Sequence, residues 1–145
     1  MDKQPLNPRR TKRTLPAVLL VVFVVVSSLV TFIILSEDQR RVEAKALRPI
    51  ADRLGTEPSK VAILVHVGEM LQSCKGSSRA EIHQLLDSLG GEFTYRGPYE
   101  TGNAQTVENA YWVLAELPRY KTWTVWILRY DSSDRLTDAE LGDSP

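Results

Sequence analysis

Three side chains in this sequence are of the types that nucleophilic or metal chemistry uses: the two histidines, His66 and His83, and the single cysteine, Cys74. A histidine in contact with a thiol can take its proton and leave a thiolate nucleophile, provided a third group orients the imidazole. Cys74 lies between the histidines in sequence, but the spacing names no third member. His66 sits inside the apolar run Val61-Ala62-Ile63-Leu64-Val65-His66-Val67 and reads as a satisfied core histidine. His83, beside Ile82 on a polar helix flank, reads as a solvated residue. Two histidines and one cysteine so spaced also fall short of a zinc-ligand pattern. Cys74 reads as a small buried residue, with an intermolecular bridge or a reactive thiol as the alternatives.

Asp131, Asp134, Asp138, Glu140 and Asp143 offer the oxygen ligands that calcium takes. An EF-hand loop needs alternating ligands, a glycine at its sharp turn and a closing glutamate, and this spacing does not supply them. The cluster reads instead as a polar hairpin turn followed by a charged edge strand, which discourages stray strand pairing. Gly-rich phosphate loops, nucleophile elbows, zinc-hydrolase helices and dinucleotide fingerprints are absent from the sequence. The expectation is therefore a protein without catalytic, metal-ligating or cofactor-binding residues. A concentrated aromatic set remains: Tyr111, Trp112, Trp123, Trp126 and Tyr130. Core packing is its plain reading. The functional reading places Trp126 or Tyr130 partly exposed on the sheet face away from the helices, as anchors for a protein partner, with Tyr111 and Trp112 completing the candidate set.

The elements that would position these groups begin with a membrane segment. Leu15 to Leu35 is a run of 21 residues without a charge, enough at about 1.5 Å per residue to span a hydrocarbon core of roughly 30 Å. Upstream, Lys3, Arg9, Arg10, Lys12 and Arg13 stand against Asp2 alone, a basic arm over residues 1–14 that should stay in the cytoplasm. Such an arm serves topology and the anionic headgroups, not nucleic acid. Residues 36–145 carry 13 Lys and Arg against 17 Asp and Glu, so the overall neutrality conceals an acidic outward part. A cleaved signal peptide is the rival reading, but the apolar core is long and Ser36-Glu37-Asp38-Gln39 offers no small-residue cleavage pair.

Residues 36–58 read as a helix leaving the membrane, with Val42, Ala46, Ile50 and Leu54 on one stripe. Pro49 should kink or interrupt it. The stretch is either a stalk or the first packed helix of the outward domain, which is placed at 59–145. Lys60 to Ser73 allows a buried strand or a buried helix, and Pro58 near its start favours the helix. Ser78-Arg79-Ala80-Glu81 is a capping box, followed by the stripe Ile82, Leu85, Leu86 and Leu89 and the stop Gly90-Gly91. Phe93 to Gly102, with Gly97-Pro98 and Gly102-Asn103, reads as a long loop. Val107 to Glu116, Lys121 to Tyr130 and Arg135 to Leu141 read as three strands of an antiparallel meander. In the second, Trp123, Val125 and Ile127 share one face and Trp126, Leu128 and Tyr130 the other. The fold class is thus α+β: a transmembrane helix, then helices packed on a three-stranded antiparallel meander.

The string Lys75-Gly76-Ser77-Ser78-Arg79-Ala80-Glu81-Ile82, then Leu85-Leu86 and Leu89-Gly90, then Tyr111-Trp112-Val113-Leu114 and Trp126-Ile127-Leu128-Arg129-Tyr130-Asp131, resembles the small helix-helix-meander domain of BamE-type (SmpA/OmlA) envelope proteins and the related β-lactamase-inhibitor-like fold. The resemblance covers roughly residues 61–143. Gly91 and Glu92 stand where the family pattern has its proline, and the anchor is a helix and not a lipid. The resemblance implies a small α+β fold and a non-catalytic binding habit. With the membrane segment, the expected protein is single-pass, N-terminus inside, with its extracytoplasmic domain bound to another envelope or membrane protein. The alternative is a small-ligand-sensing or enzyme-inhibiting domain whose Phe93 to Gly102 loop closes over its target. Oligomeric state is left open at this level.

Overall fold

A computed structural model describes residues 14–102 and 104–142. The element order is α1 (Thr14–Leu54), α2 (Lys60–Ser73), α3 (Arg79–Leu89), β1 (Glu92–Thr101), β2 (Gln105–Glu116), β3 (Lys121–Tyr130) and β4 (Leu136–Leu141). The chain divides into two compact units between Arg40 and Arg41.

In the first unit every residue from Val18 to Leu35 is exposed, and the segment is long and apolar enough to cross a membrane. The hydroxyls of Ser28, Thr31 and Ser36 are satisfied on their own helix. Ser28 Oγ donates to the Val24 carbonyl, Thr31 Oγ1 to Ser27 and Ser36 Oγ to Ile33, each at 2.8 Å. That closure suits a medium offering no hydrogen bonds. The basic arm lies outside the described residues, apart from Thr14.

The second unit is α+β, with a core on one face of a four-stranded antiparallel sheet of order β1-β2-β3-β4. Leu47, Ile50 and Ala51, in the last turns of α1, are buried in that core at 0 to 4% exposure. This stretch is accordingly a packed helix and not a stalk, and the domain boundary moves from residue 59 back to residue 41. Pro49 does not interrupt α1. The proline removes one backbone donor, and burial of the residues around it offsets that loss. The helix stops where expected, with Gly55 at φ 65° and the Thr56 amide returning to the Ala51 carbonyl at 3.0 Å.

The helix reading of Lys60 to Ser73 holds. Ser59 caps α2 by accepting from the Ala62 amide, and Ile63, Val67 and Leu71 point inward. At α3 the capping box forms in both directions between Ser78 and Glu81, and Ile82, Leu86 and Leu89 are buried.

One element differs from expectation. Phe93 to Gly102 is not a loop: β1 covers Glu92–Thr101 and pairs with β2 from Glu92↔Val113 to Thr101↔Gln105. Gly97-Pro98 is absorbed as a bulge, where the register shifts between Arg96 and Tyr99. Gly97 sits at φ 124°, and a side chain there would reach within 2.9 Å of the Val107 carbonyl. The glycine permits this close approach and the strand continues past it. The meander accordingly has four strands instead of three.

Candidate functional site

Alternation along the strands sorts the sheet into two faces. Ala110, Trp112 and Leu114 of β2 and Trp126, Leu128 and Tyr130 of β3 turn toward the helices and are buried with Leu47, Ile63, Val67, Leu71, Ile82 and Leu86. Phe93 and Tyr95 of β1 pack against the same core. Three of the four expected partner anchors are therefore interior. Trp112 and Tyr130 are fully buried and Trp126 is 4% exposed, so the expectation that Trp126 or Tyr130 presents to a partner is corrected. The alternation was read rightly, but both faces of β3 are apolar, and only the packing of the helices decides which is covered.

Tyr111, the fourth candidate, lies on the opposite face. Cross-strand pairs there are Thr94↔Tyr111 and Arg96↔Asn109, then Tyr111↔Val125, Val113↔Trp123 and Asn109↔Ile127. Tyr111, Val113, Trp123 and Ile127 are each only partly covered. The Tyr111 and Trp123 rings meet at 6.5 Å with their planes 33° apart, and the Arg96 guanidinium lies 5.0 Å from the centre of the Tyr111 ring. Thr94, Arg96, Tyr111, Val113 and Trp123 line a shallow open depression of about 300 Å³, with Trp112 at its floor. Arg129 and Glu140 form an ion pair on the same face. The arrangement is an aromatic and aliphatic surface edged by one free-standing and one paired cation. It can take up an apolar side chain and a negative charge beside it.

Trp123 belongs to this surface, although the sequence reading left it among the core aromatics. The missing signal is non-local: Lys60 Nζ donates to the Trp123 carbonyl at 2.9 Å, which ties the start of α2 to the start of β3.

The residues with catalytic potential go elsewhere. His66 is exposed on α2 and not in the core, because Ile63 and Val67 take the inward positions around it. His83 is only partly solvated, its side chain 28% exposed. Its Nε2 lies 2.6 Å from Oε2 of Glu108, a carboxylate with 3% exposure, and its ring stacks on Tyr95 at 3.8 Å. Tyr95 in turn donates to Asp87 at 2.8 Å. Burial, then the Asp87 carboxylate, pushes the Tyr95 phenol well above its ordinary range. Burial and the Glu108 charge do the same to Tyr130, over whose ring the Arg79 guanidinium stands at 4.6 Å. This network ties α3 to β1 and β2. Among the described residues the His83 ring makes no hydrogen bond to a thiol or hydroxyl, the Tyr95 hydroxyl reaching only the His83 backbone carbonyl at 3.4 Å, and the thiol of Cys74, half-buried at the C-cap of α2, has only Ser73 Oγ at 4.0 Å.

The acidic cluster is spent on the fold. Asp131 Oδ1 accepts from the amides of Ser133 and Arg135 at 2.8 and 3.0 Å, closing the turn. Asp134 pairs with Arg79 at 2.7 Å and Asp138 with Lys75 at 3.3 Å. The Lys75 ammonium, with Gln72, holds the Asp138 carboxyl below its ordinary range. Among the described residues no three His, Cys, Asp or Glu side chains gather where they could hold a metal, and Asp143 lies outside those residues. No family model, no curated protein and no solved structure matches this chain.

Proposed function

We propose that this protein is a single-pass, membrane-anchored, non-catalytic binding module whose outward domain engages another envelope or membrane protein through the open face of its sheet. The observation that carries the proposal is the partly exposed surface of Tyr111, Val113, Trp123 and Ile127, edged by Arg96, on the sheet face opposite the helix-covered core. Aromatic side chains with one apolar face and one polar end are efficient anchors, and an arginine beside them adds charge selectivity. The helix of Val18–Leu35 supplies the second half of the mechanism. Confinement to a bilayer raises the effective concentration of a membrane-borne partner, so a modest interface suffices. The basic arm supports a cytoplasmic N-terminus, with the domain on the far side. A BamE-like relationship would account for the order of two helices followed by a meander. The ligand-closing alternative loses its lid, since β1 is paired strand and not loop.

The test is photo-crosslinking in intact membranes with a reactive residue at Trp123, against a control at exposed His66. A neighbour captured at residue 123, and lost on Tyr111→Ala with the domain still folded, supports the proposal. Equal capture at both positions, or none at 123, ends it.

A further inference from the structure

An antiparallel meander has two outer edges, and this fold treats them differently. The outer edge of β4 is occupied. Leu136 exchanges backbone bonds with the segment after α2, its carbonyl accepting from Gly76 and its amide donating to Ser77, both at 2.8 Å. Farther along, Gln72 Nε2 donates to the Ala139 carbonyl at 3.0 Å. Among the described residues no hydrogen bond reaches the outer edge of β1, although β1 is the longer strand. An open row of amides and carbonyls is a template for another strand.

The charges along β1 select the strand that fits. Glu92, Arg96 and Glu100 recur every four residues and are exposed. When β1 is laid antiparallel on a second β1 about Arg96, arginine faces arginine and Glu92 faces Glu100. Centring on Pro98 puts the bulge and a residue without an amide proton at the middle of the ladder. Centring on Thr94 sets Glu92 opposite the partner's Arg96 and Arg96 opposite the partner's Glu92, while Phe93 meets the partner's Tyr95. Both are half-buried aromatics already stacked along the core edge, with centroids 6.1 Å apart. Opposite charges and aromatic pairs directly across antiparallel strands are favourable, and like charges there are not.

We propose that β1 is a homodimerisation edge, pairing antiparallel with β1 of a second copy of this chain about a twofold axis through Thr94, so that the two sheets become continuous. The contact is isologous: each copy gives and receives the same two ion pairs. Two copies held in one bilayer meet at a high effective concentration, so a short edge is sufficient. The same charges disfavour the Arg96-centred slip, and among the registers compared only the Thr94-centred one sets opposite charges across the edge without placing the bulge at its middle. The inference does not rest on the proposed partner site, although Thr94 and Arg96 also line the edge of the open face.

The test uses the full chain in detergent and in lipid nanodiscs, in a Cys74→Ser background. Residues directly opposed across antiparallel strands have Cα atoms about 4.5 to 5.5 Å apart, within reach of a disulfide. Thr94→Cys is therefore expected to give an oxidised dimer, and Tyr99→Cys, beyond the bulge, is not. Added to Thr94→Cys, Arg96→Glu turns two attractive pairs into two repulsive ones and should cut the yield roughly tenfold. Glu92→Arg alone should do the same, and Glu92→Arg with Arg96→Glu should restore it. A yield at Thr94→Cys no higher than at Tyr99→Cys overturns the proposal, as does a double reversal that fails to recover the dimer. Melting curves of each variant establish that it remains folded.

Discussion

Trp123 and Trp126 are three positions apart on β3, and the pleat sends them to opposite sides of the sheet. Trp126 packs under the helices, where a Cβ on Gly68 of α2 would lie 3.3 Å from its ring, so that helix and indole are fitted to each other. Trp123 covers part of the open face. The same substitution should thus have different consequences at the two sites. Trp126→Ala removes a large side chain from a closed core and should cost about 3 to 5 kcal/mol, much of the 5 to 15 kcal/mol that a domain typically has. Trp123→Ala opens no closed cavity and should leave the fold intact. Thermal melting of the two variants separates them: if Trp126→Ala melts with the parent, the assignment of faces is wrong.

At the scale of elements, α3 shows what local chemistry can specify. Ser78 accepts from the Glu81 amide, and Glu81 Oε2 accepts from the Ser78 amide at 2.7 Å and from its hydroxyl at 2.9 Å. Ser78→Ala removes the cap and should cost about 1 kcal/mol, a fall in Tm of roughly 4 to 8 °C for a domain of this size. The Ser78 amide, then its hydroxyl, holds the Glu81 carboxyl below its usual 4.5. A carboxyl whose folded value is depressed adds stability above its unfolded value, and that increment fades as pH falls through the folded one. The difference in Tm between the parent and Glu81→Gln should therefore be present at pH 7 and shrink as the pH drops below about 4.5, the ordinary value; a difference that stays constant down to pH 3 would refute the role of the charge. Because these bonds lie within four residues, α3 could be placed from the string alone, and α2 followed from Pro58 and its apolar run. β1 could not. Gly97-Pro98 carries every local mark of a loop, and only pairing with β2 turns it into a bulge. The contact of His83 with Glu108, made across 25 positions, leaves no local trace either, so a histidine on a polar flank looked solvated. The face of β3 was undecidable for a related reason, since two apolar faces look alike until helices choose one.

For the molecule as a whole, the consequential boundary is the one inside α1. The apolar part, exposed from Val18 to Leu35, contributes nothing to the buried core, whereas Leu47, Ile50 and Ala51 are part of it. Arg53 adds a polar tie, donating from Nη1 to the Ser88 carbonyl at 3.2 Å, close to the turn at which Trp112 Nε1 donates to the Gly90 carbonyl at 2.8 Å. A fragment of residues 41–145 keeps all of these contacts and sheds the exposed apolar stretch of α1. It should be soluble without detergent and melt in one cooperative transition. A fragment of residues 59–145, cut where the sequence alone suggested the domain begins, loses the buried side chains of Leu47, Ile50 and Ala51 from the shared core. Truncating a single buried Leu or Ile to Ala costs about 2 to 5 kcal/mol; losing Leu47 and Ile50 together approaches the whole stability of a small domain. The shorter fragment should then bind a hydrophobic dye and show no cooperative melt. Calorimetry of the two fragments decides it, because a cooperative transition in 59–145 would mean that α1 ends in a stalk after all and that the core closes without it.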